Sequence, residues 1–353
     1  MPNATQGAPA VSVIVRVHNE QRKLSRTLRS LLAQTLPGLE IVVVDEGSAD
    51  RSYELALELQ KQHPGRLRLH RQQSAGAAAA WNQGIALARG KYVGFAHVGG
   101  WAEPGMYAAL HKACESRAAD LCSAPYFGRA QRMAWDFAAS HRTWERSECQ
   151  QALLPQAVAN YRALALWGKL IRRDFLLHSG LRISEEFPQG EETVFLARCL
   201  ARCECLVTLA RPFYHHTAKR QPSPSCPWAR EQRLAQYTQL SALMRETEVD
   251  SDENRQLFCT GWMGALLEIC VREYQFSQDE AAFYRKMITL AGEPQVAEAL
   301  PRAARAALPS AQLQCYDAFM ARDWAALRRL AKRLNFARKN FLLASHPALC
   351  YTI

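Results

Sequence analysis

No stretch of about 18 consecutive apolar residues occurs in the 353 residues, so no membrane-spanning helix is predicted. The opening MPNATQGAPA has neither a basic segment nor an apolar core, which predicts a cytoplasmic chain without a secretory signal. Two phosphate-binding signatures are also missing. No G-x-G-x-x-G follows the first apolar run and no G-x-x-x-x-G-K-[ST] occurs, which excludes the obvious dinucleotide and P-loop folds. Zinc-finger spacing is absent too: the eleven cysteines are irregularly placed, and the cluster Cys199, Cys203, Cys205 is followed by no second Cys/His pair. Reduced core thiols are expected instead. No zinc finger, ribonucleoprotein signature or helix-turn-helix accompanies the net charge of +11, so that charge implies anionic company but no nucleic acid.

What remains is a globular composition, 48% hydrophobic and 22% charged, long enough for one large domain or two ordinary ones. VSVIVRV (11–17) is a β-branched run, and the polar turn HNE leads into RKLSRTLRSLLAQT, where Leu24, Leu28, Leu31 and Leu32 fall at helical spacing. LEIVVVDEGSAD gives a second strand, with Ser48 or Asp50 able to cap the helix RSYELALELQKQH. RLRLHRQ is a third strand. GAAAAWNQGIALARG is a helix that Gly90 ends, and GKYVGFAH a fourth strand. Glu103 and Pro104 are expected in the first turn of the next helix. Strands that alternate with helices, each buried on both faces, predict a mainly parallel sheet in an α/β domain. From about residue 228 only helical patterns follow, after the Pro-rich KRQPSPSCPW (219–228), which reads as a linker.

VSVIVRVHNE, LRSLLAQTLPGLEIVVVDEGSADRS, GAAAAWNQGIALARGKYVGF and WAEPGMYAAL resemble successive blocks of the family 2 glycosyltransferases of GT-A fold. LWGKLIRRDFLLHSGLRI, FPQGEETVFLARCL and RPFYHH resemble the blocks that follow in bacterial polysaccharide-making members. The resemblance spans roughly residues 10–225. It implies a disordered N-terminus at 1–10, a GT-A-like domain over 11–222 and a helical C-terminal region over 223–353. It also implies a nucleotide-diphosphate sugar as donor, with a divalent metal (Mg or Mn) held by a D-x-D motif to neutralise the leaving diphosphate.

The chain departs from that pattern where the metal belongs. At the D-S-D-D-W position it reads His97-Val98-Gly99-Gly100-Trp101. Glycine offers no ligand and a lone neutral imidazole serves Mg²⁺ poorly, so no metal ligand is assigned. Arg16 and His18 stand in the block that usually reads Pro-x-Tyr-Asn, Glu46 replaces the second Asp of the DDGS block, and Trp81 replaces a usual Arg or Lys. Asn19, Asp45, Gly47, Ser48, Asp50, Gly76 and Asn82 match, and with the altered positions they form the implied nucleotide site. Arg16, Lys219 and Arg220 are candidate cations in place of the metal, the last two alternatively a solvated linker. In GEETVF, Glu192 takes the place of the catalytic base with Glu191 beside it, although two glutamates also suit a helix N-terminus.

Two readings of function stand. One is inverting sugar transfer, working without metal, to a polysaccharide, lipid-linked glycan or protein acceptor. The other is a catalytically inactive relative that binds a partner or glycan. The basic amphipathic stretch 327–342 is a candidate for peripheral contact with anionic lipid at the inner face of a membrane. A solvated face packed on the α/β domain, or a dimer surface, are its alternatives.

Overall fold

The structure is a computed structural model that describes residues 8–128, 133–134, 140–160, 164–185, 191–217 and 229–343. The chain divides into two compact units, an α/β unit of Met1–Ala157 with Tyr161–Ala218, and a helical unit of Val158–Asn160 with Lys219–Ile353.

In the α/β unit an eight-stranded sheet is built from β1 (Val11–Val17), β2 (Leu39–Asp45), β3 (Leu67–Arg71), β4 (Tyr92–His97), β6 (Leu121–Ser123), β9 (Arg142–Glu145), β10 (Lys169–Arg172) and β11 (Cys205–Thr208). Its order is β3-β2-β1-β4-β10-β6-β11-β9. A small sheet, β5-β12-β7-β8, joins β5 (Trp101–Ala102), β12 (Tyr214–His215), β7 (Tyr126–Phe127) and β8 (Met133–Ala134). Strands β3, β2, β1 and β4 are parallel, and β10 runs against β4. The β-branched residues of β1 and β2 are buried on both faces, as a central parallel strand covered by helices requires. Helices α1 (Gln21–Leu32), α2 (Ser52–Gln62), α3 (Ala77–Leu87) and α4 (Met106–Arg117) link the first half. In α1 the stripe Leu24, Leu28, Leu31 is buried on the core.

Three boundaries differ from the sequence expectation. Helix α3 ends at Leu87, not Gly90, because the Arg89 N–H donates to Glu40 Oε1 and the Gly90 N–H to Ser12 Oγ. Gly90 is there for closeness: a Cβ on it would lie 2.5 Å from the Ser12 backbone nitrogen. Glu103 and Pro104 precede α4, since their carbonyls accept from Gln34 Nε2 and the Thr35 N–H. The N-cap of α2 is Arg51, with Asp50 one place before it accepting the Ser52 N–H.

The helical unit comprises the helices Ala229–Glu246, Asp252–Gln275, Glu280–Ala291, Pro294–Arg302, Ser310–Met320 and Trp324–Leu343. Ser251 and Asp279 cap two of them by accepting the Asn254 and Ala282 N–H groups. Tyr237, Phe258, Trp262 and Phe283 form its interior. The last helix packs on the helices 252–275 and 310–320, burying Leu327, Leu330 and Ala331. Over that stretch the apolar side considered for lipid contact is already occupied by protein, while Arg328 pairs with Glu280 at 3.2 Å. The side chains of 336–342 lie outside the described residues.

Candidate active site

The order β3-β2-β1-β4 means that the chain steps outward from β1 to β3 and then crosses back to lay β4 on the other side of β1. In open α/β sheets ligands bind at the carboxyl ends of the strands at such a reversal. Arg16 and His97 face each other in register there, and Val17 faces Asp45.

The turns after β1 and β2 are knitted into one clamp. Asn19 Oδ1 accepts the Ala49 and Asp50 N–H groups, so its Nδ2 is the donor to His18 Nε2 at 3.2 Å. His18 Nδ1 then carries the proton and donates to the Glu46 carbonyl at 3.1 Å. The exposed imidazole is thus held in one orientation. Asn19 adopts φ 54 and Gly47 φ 70, the left-handed turns that let the two loops meet. Ser48 Oγ accepts the Asn19 N–H, and the Ser48 N–H donates to Asp45 Oδ1. Asp50 takes the first N–H of both helices, Gln21 and Ser52. Desolvation alone would raise its pKa, but the bonds from Ser52 and Gln21 outweigh it and hold the carboxyl below its usual range. Arg16 and Glu46, two departures from the family pattern, bind each other: Nη1 donates to Oε1 at 2.7 Å. Arg16 is therefore committed to a neighbouring carboxylate.

The loop after β4 is fastened on two sides. From α1, Thr27 Oγ1 accepts the Gly99 N–H at 2.9 Å and donates to the Gly100 carbonyl at 2.8 Å. From β12, the Tyr214 hydroxyl accepts the His97 N–H and donates to the His97 carbonyl. Ser30 of α1 and Gln34, just beyond its end, accept the Ala102 and Tyr107 N–H groups. The FYHH block supplies the packing. His216 stacks on Trp167 at 4.2 Å with His97 edge-on to both. His215 stacks between Trp101 and Phe127, at 3.6 and 4.5 Å. Burial, with His97 nearby, pushes the His216 pKa down to about 3, so its imidazole is neutral.

Gly76 is the N-cap of α3. Trp81 is buried edge-on against Phe95, a packing placement. Asn82 donates to the Ile183 carbonyl and Glu185, beside a space of about 320 Å³ that Gln72, Gln83 and Arg182 also line. Glu191 and Glu192 open the helix Glu191–Arg202, with Glu192 partly exposed. Lys219, Arg220 and the 219–228 linker lie outside the described residues, as do residues 1–7. Lys23, Thr27 and Tyr214 were not singled out in the sequence. The signal that could have found the first two is the stripe Lys23, Thr27, Ser30, Gln34, at helical spacing beside the leucines.

The residues at the loop do not fit a hard divalent cation, which requires oxygen ligands. Two positions are glycine, the His97 ring is in aromatic packing, and the charged side chain next to Gly99 is the cation Lys23. Among the described residues no group of three His, Cys, Asp or Glu is placed to hold a metal, and the described cysteines are free thiols. No helix among them is long and apolar enough to cross a membrane.

Residues 12–160 match the family model described as Glycosyl transferase family 2. The chain is 30% identical over 215 residues to the putative glycosyltransferase EpsH of Bacillus subtilis, covering 59% of this chain and 60% of that protein. It is 26% identical over 209 residues to EpsJ of the same organism, again over 60% of the relative. The chain thus spans about three-fifths of the length of these relatives. The crystal structure of S. aureus TarS 1-349 in complex with UDP-GlcNAc superposes with a TM-score of 0.63 at 17% identity, covering 93% of this chain and 92% of that one. A mixed, mainly parallel sheet with a reversal between β1 and β4, a match that begins within β1, and curated relatives named as glycosyltransferases converge: the chain has a GT-A-like fold, and its residues 12–160 are similar to the family 2 glycosyltransferases.

Proposed function

We propose that this chain transfers a sugar from a nucleotide-diphosphate donor to a hydroxyl of a glycan, lipid-linked or protein acceptor, as in assembly of a surface polysaccharide. The observation that carries the reading is the clamp of Arg16, His18, Asn19, Asp45, Glu46 and Ser48 at the sheet's reversal, within the segment that matches the family. The exposed, fixed imidazole of His18 offers a flat face to a nucleotide base. Ser48 and Asp50 accept backbone N–H groups, Asn19 binds both backbone N–H groups and the His18 ring, and the three position the site. The loop 97–101 faces the diphosphate.

In the transfer the acceptor oxygen forms a bond to the anomeric carbon as the bond from that carbon to the diphosphate oxygen breaks. The electron pair leaves with the nucleoside diphosphate, and the acceptor proton passes to the Glu192 carboxylate. The configuration is inverted. Glu192 lies in the first turn of the helix Glu191–Arg202 and is partly exposed, so that an acceptor hydroxyl can reach it. Glu191 stands beside it as its partner.

The test is release of nucleoside diphosphate from a panel of nucleotide sugars with glycan and lipid-linked acceptors. Glu192→Gln is expected to lower turnover by about 100-fold or more, with nucleotide affinity and thermal unfolding unchanged. Unchanged turnover would remove Glu192 from the role. Nucleotide binding without turnover on any acceptor would favour the binding protein instead.

A further inference from the structure

At Gly99 the charge has changed sign. The family pattern holds the second carboxylate of its metal motif at this position. Here a Cβ built on Gly99 would lie 2.9 Å from Thr217 Oγ1 and 3.1 Å from Lys23 Cδ. The volume that an acidic side chain would enter is therefore filled by the methylene stem of a lysine and by a threonine hydroxyl. The backbone agrees, since Gly99 has φ +98, a conformation L side chains rarely adopt.

Lys23 is well anchored for this position. It lies one turn before Thr27, which is bonded to both Gly99 and Gly100, so α1 and the loop are fixed to each other at that point. Its side chain is 46% exposed, and its ammonium is 3.5 Å from Oε2 of Glu20, three residues back on the chain and 13% exposed. An ammonium carries three N–H donors, so a contact at that distance leaves it able to donate to a further anion. Arg26, the next residue along this face, holds its guanidinium 5.4 Å over the Trp101 ring and adds positive charge at the rim. Arg16 is bound to Glu46 and does not serve.

We propose that Lys23 takes the donor's diphosphate directly, supplying at the Gly99 loop the positive charge that a divalent metal supplies in the family. The proposal rests on the donor-site reading above. As the sugar–oxygen bond breaks, the electron pair and charge collect on the terminal phosphate. A lysine N–H aimed at that oxygen makes a charge-assisted bond that strengthens as the charge grows. Thr217 Oγ1 beside it is a second donor to the same group.

The experiment is calorimetric titration of the full chain with UDP, GDP, CDP and dTDP, each in EDTA and with Mn²⁺, and with the monophosphate of whichever binds. Lys23→Met keeps the packing stem and removes the charge, Lys23→Gln repeats the removal with a shorter side chain, and Lys23→Arg keeps the charge. The expected result is diphosphate binding indifferent to Mn²⁺, weakened by about tenfold or more in Lys23→Met and Lys23→Gln. Lys23→Arg stays within about threefold, and the monophosphate is affected much less than the diphosphate. Full diphosphate affinity in both uncharged variants would overturn the role of Lys23 and leave the donor site standing. Wild-type binding that requires Mn²⁺ would overturn the charge replacement. No binding by any of the four nucleotides would overturn the donor-site reading and the Lys23 proposal with it.

Discussion

Arg16 and Glu46 meet across the ends of β1 and β2, with Nη1 2.7 Å from Oε1 and side-chain exposures of 25% and 3%. Arg16 departs from the Pro-x-Tyr-Asn block and Glu46 is one carbon longer than the usual aspartate, and they are each other's partner. Arg16→Met should leave the buried Glu46 without its cation and destabilise the α/β unit by about 1–3 kcal/mol. Arg16→Met with Glu46→Gln should recover much of that loss, because the uncompensated charge is gone. Denaturant unfolding of the two single variants and the double variant measures the coupling, and additive losses would mean that the pair contributes nothing as a pair.

Thr27→Val keeps shape and removes the hydroxyl that serves both Gly99 and Gly100. Two buried backbone groups lose their partner, at a cost of about 1–3 kcal/mol. The loop should open locally before the unit unfolds, so amide exchange at Gly99 should accelerate while exchange in β1 holds. Thr27→Ser, which retains the oxygen, should restore protection. Equal exchange in wild type and Thr27→Val would show that the loop is held without the Thr27 hydroxyl.

The contrast between Leu24 and Thr27 shows where the sequence was legible. Leucines at 24, 28 and 31 are apolar at helical spacing, and burial is the sole outcome that this pattern has in a globular chain. The same held for β1 and β2, whose β-branched runs marked buried parallel strands. Polar residues at 23, 27, 30 and 34 look like a solvated face, because their partners lie 72 and 73 residues away for Thr27 and nothing local encodes them. The missing carboxylates at 97 and 99 could be read directly, since absence of a ligand is a property of residue type. That Arg16 would be captured by Glu46, and that Lys23 would lie against Gly99, are facts of tertiary packing. Helix ends failed for a related reason. In the sequence Gly90 reads as a helix stop, whereas its small size answers to the backbone of Ser12.

Gly99→Asp with His97→Asp rebuilds the acidic motif on paper. At Gly99 the φ of +98 and the contacts at 2.9 and 3.1 Å oppose any side chain, adding strain of about 1–3 kcal/mol. A new carboxylate there would meet Lys23 and pair with it. The expected outcome is a lower unfolding midpoint and no Mn²⁺-dependent gain in nucleotide binding. A Mn²⁺-dependent gain at unchanged stability would show that the loop needs only its carboxylates.

Glu40 lies at the amino-terminal ends of β1 and β2, away from the site, and sets an acid limit on the fold. Its side chain is 1% exposed; Oε1 accepts from Ser12 Oγ at 2.5 Å and the Arg89 N–H at 2.8 Å, and Oε2 from the Arg89 guanidinium at 2.8 Å. Burial alone would raise its pKa, but the bonds from Ser12 and Arg89 outweigh it and hold the carboxyl below its ordinary value of 4.5. As pH falls the unfolded chain binds this proton first. The contribution of Glu40 is therefore complete above 4.5 and is lost as the pH drops through the lower value of the folded state. Glu40→Gln has no such proton to take up, and its amide cannot accept the same set of donors at two oxygens. It should be less stable than wild type at neutral pH, and its unfolding midpoint should decline less steeply on acidification, so that the two profiles converge. Parallel profiles over the acid range would show that Glu40 is not the group whose protonation loosens the strand ends.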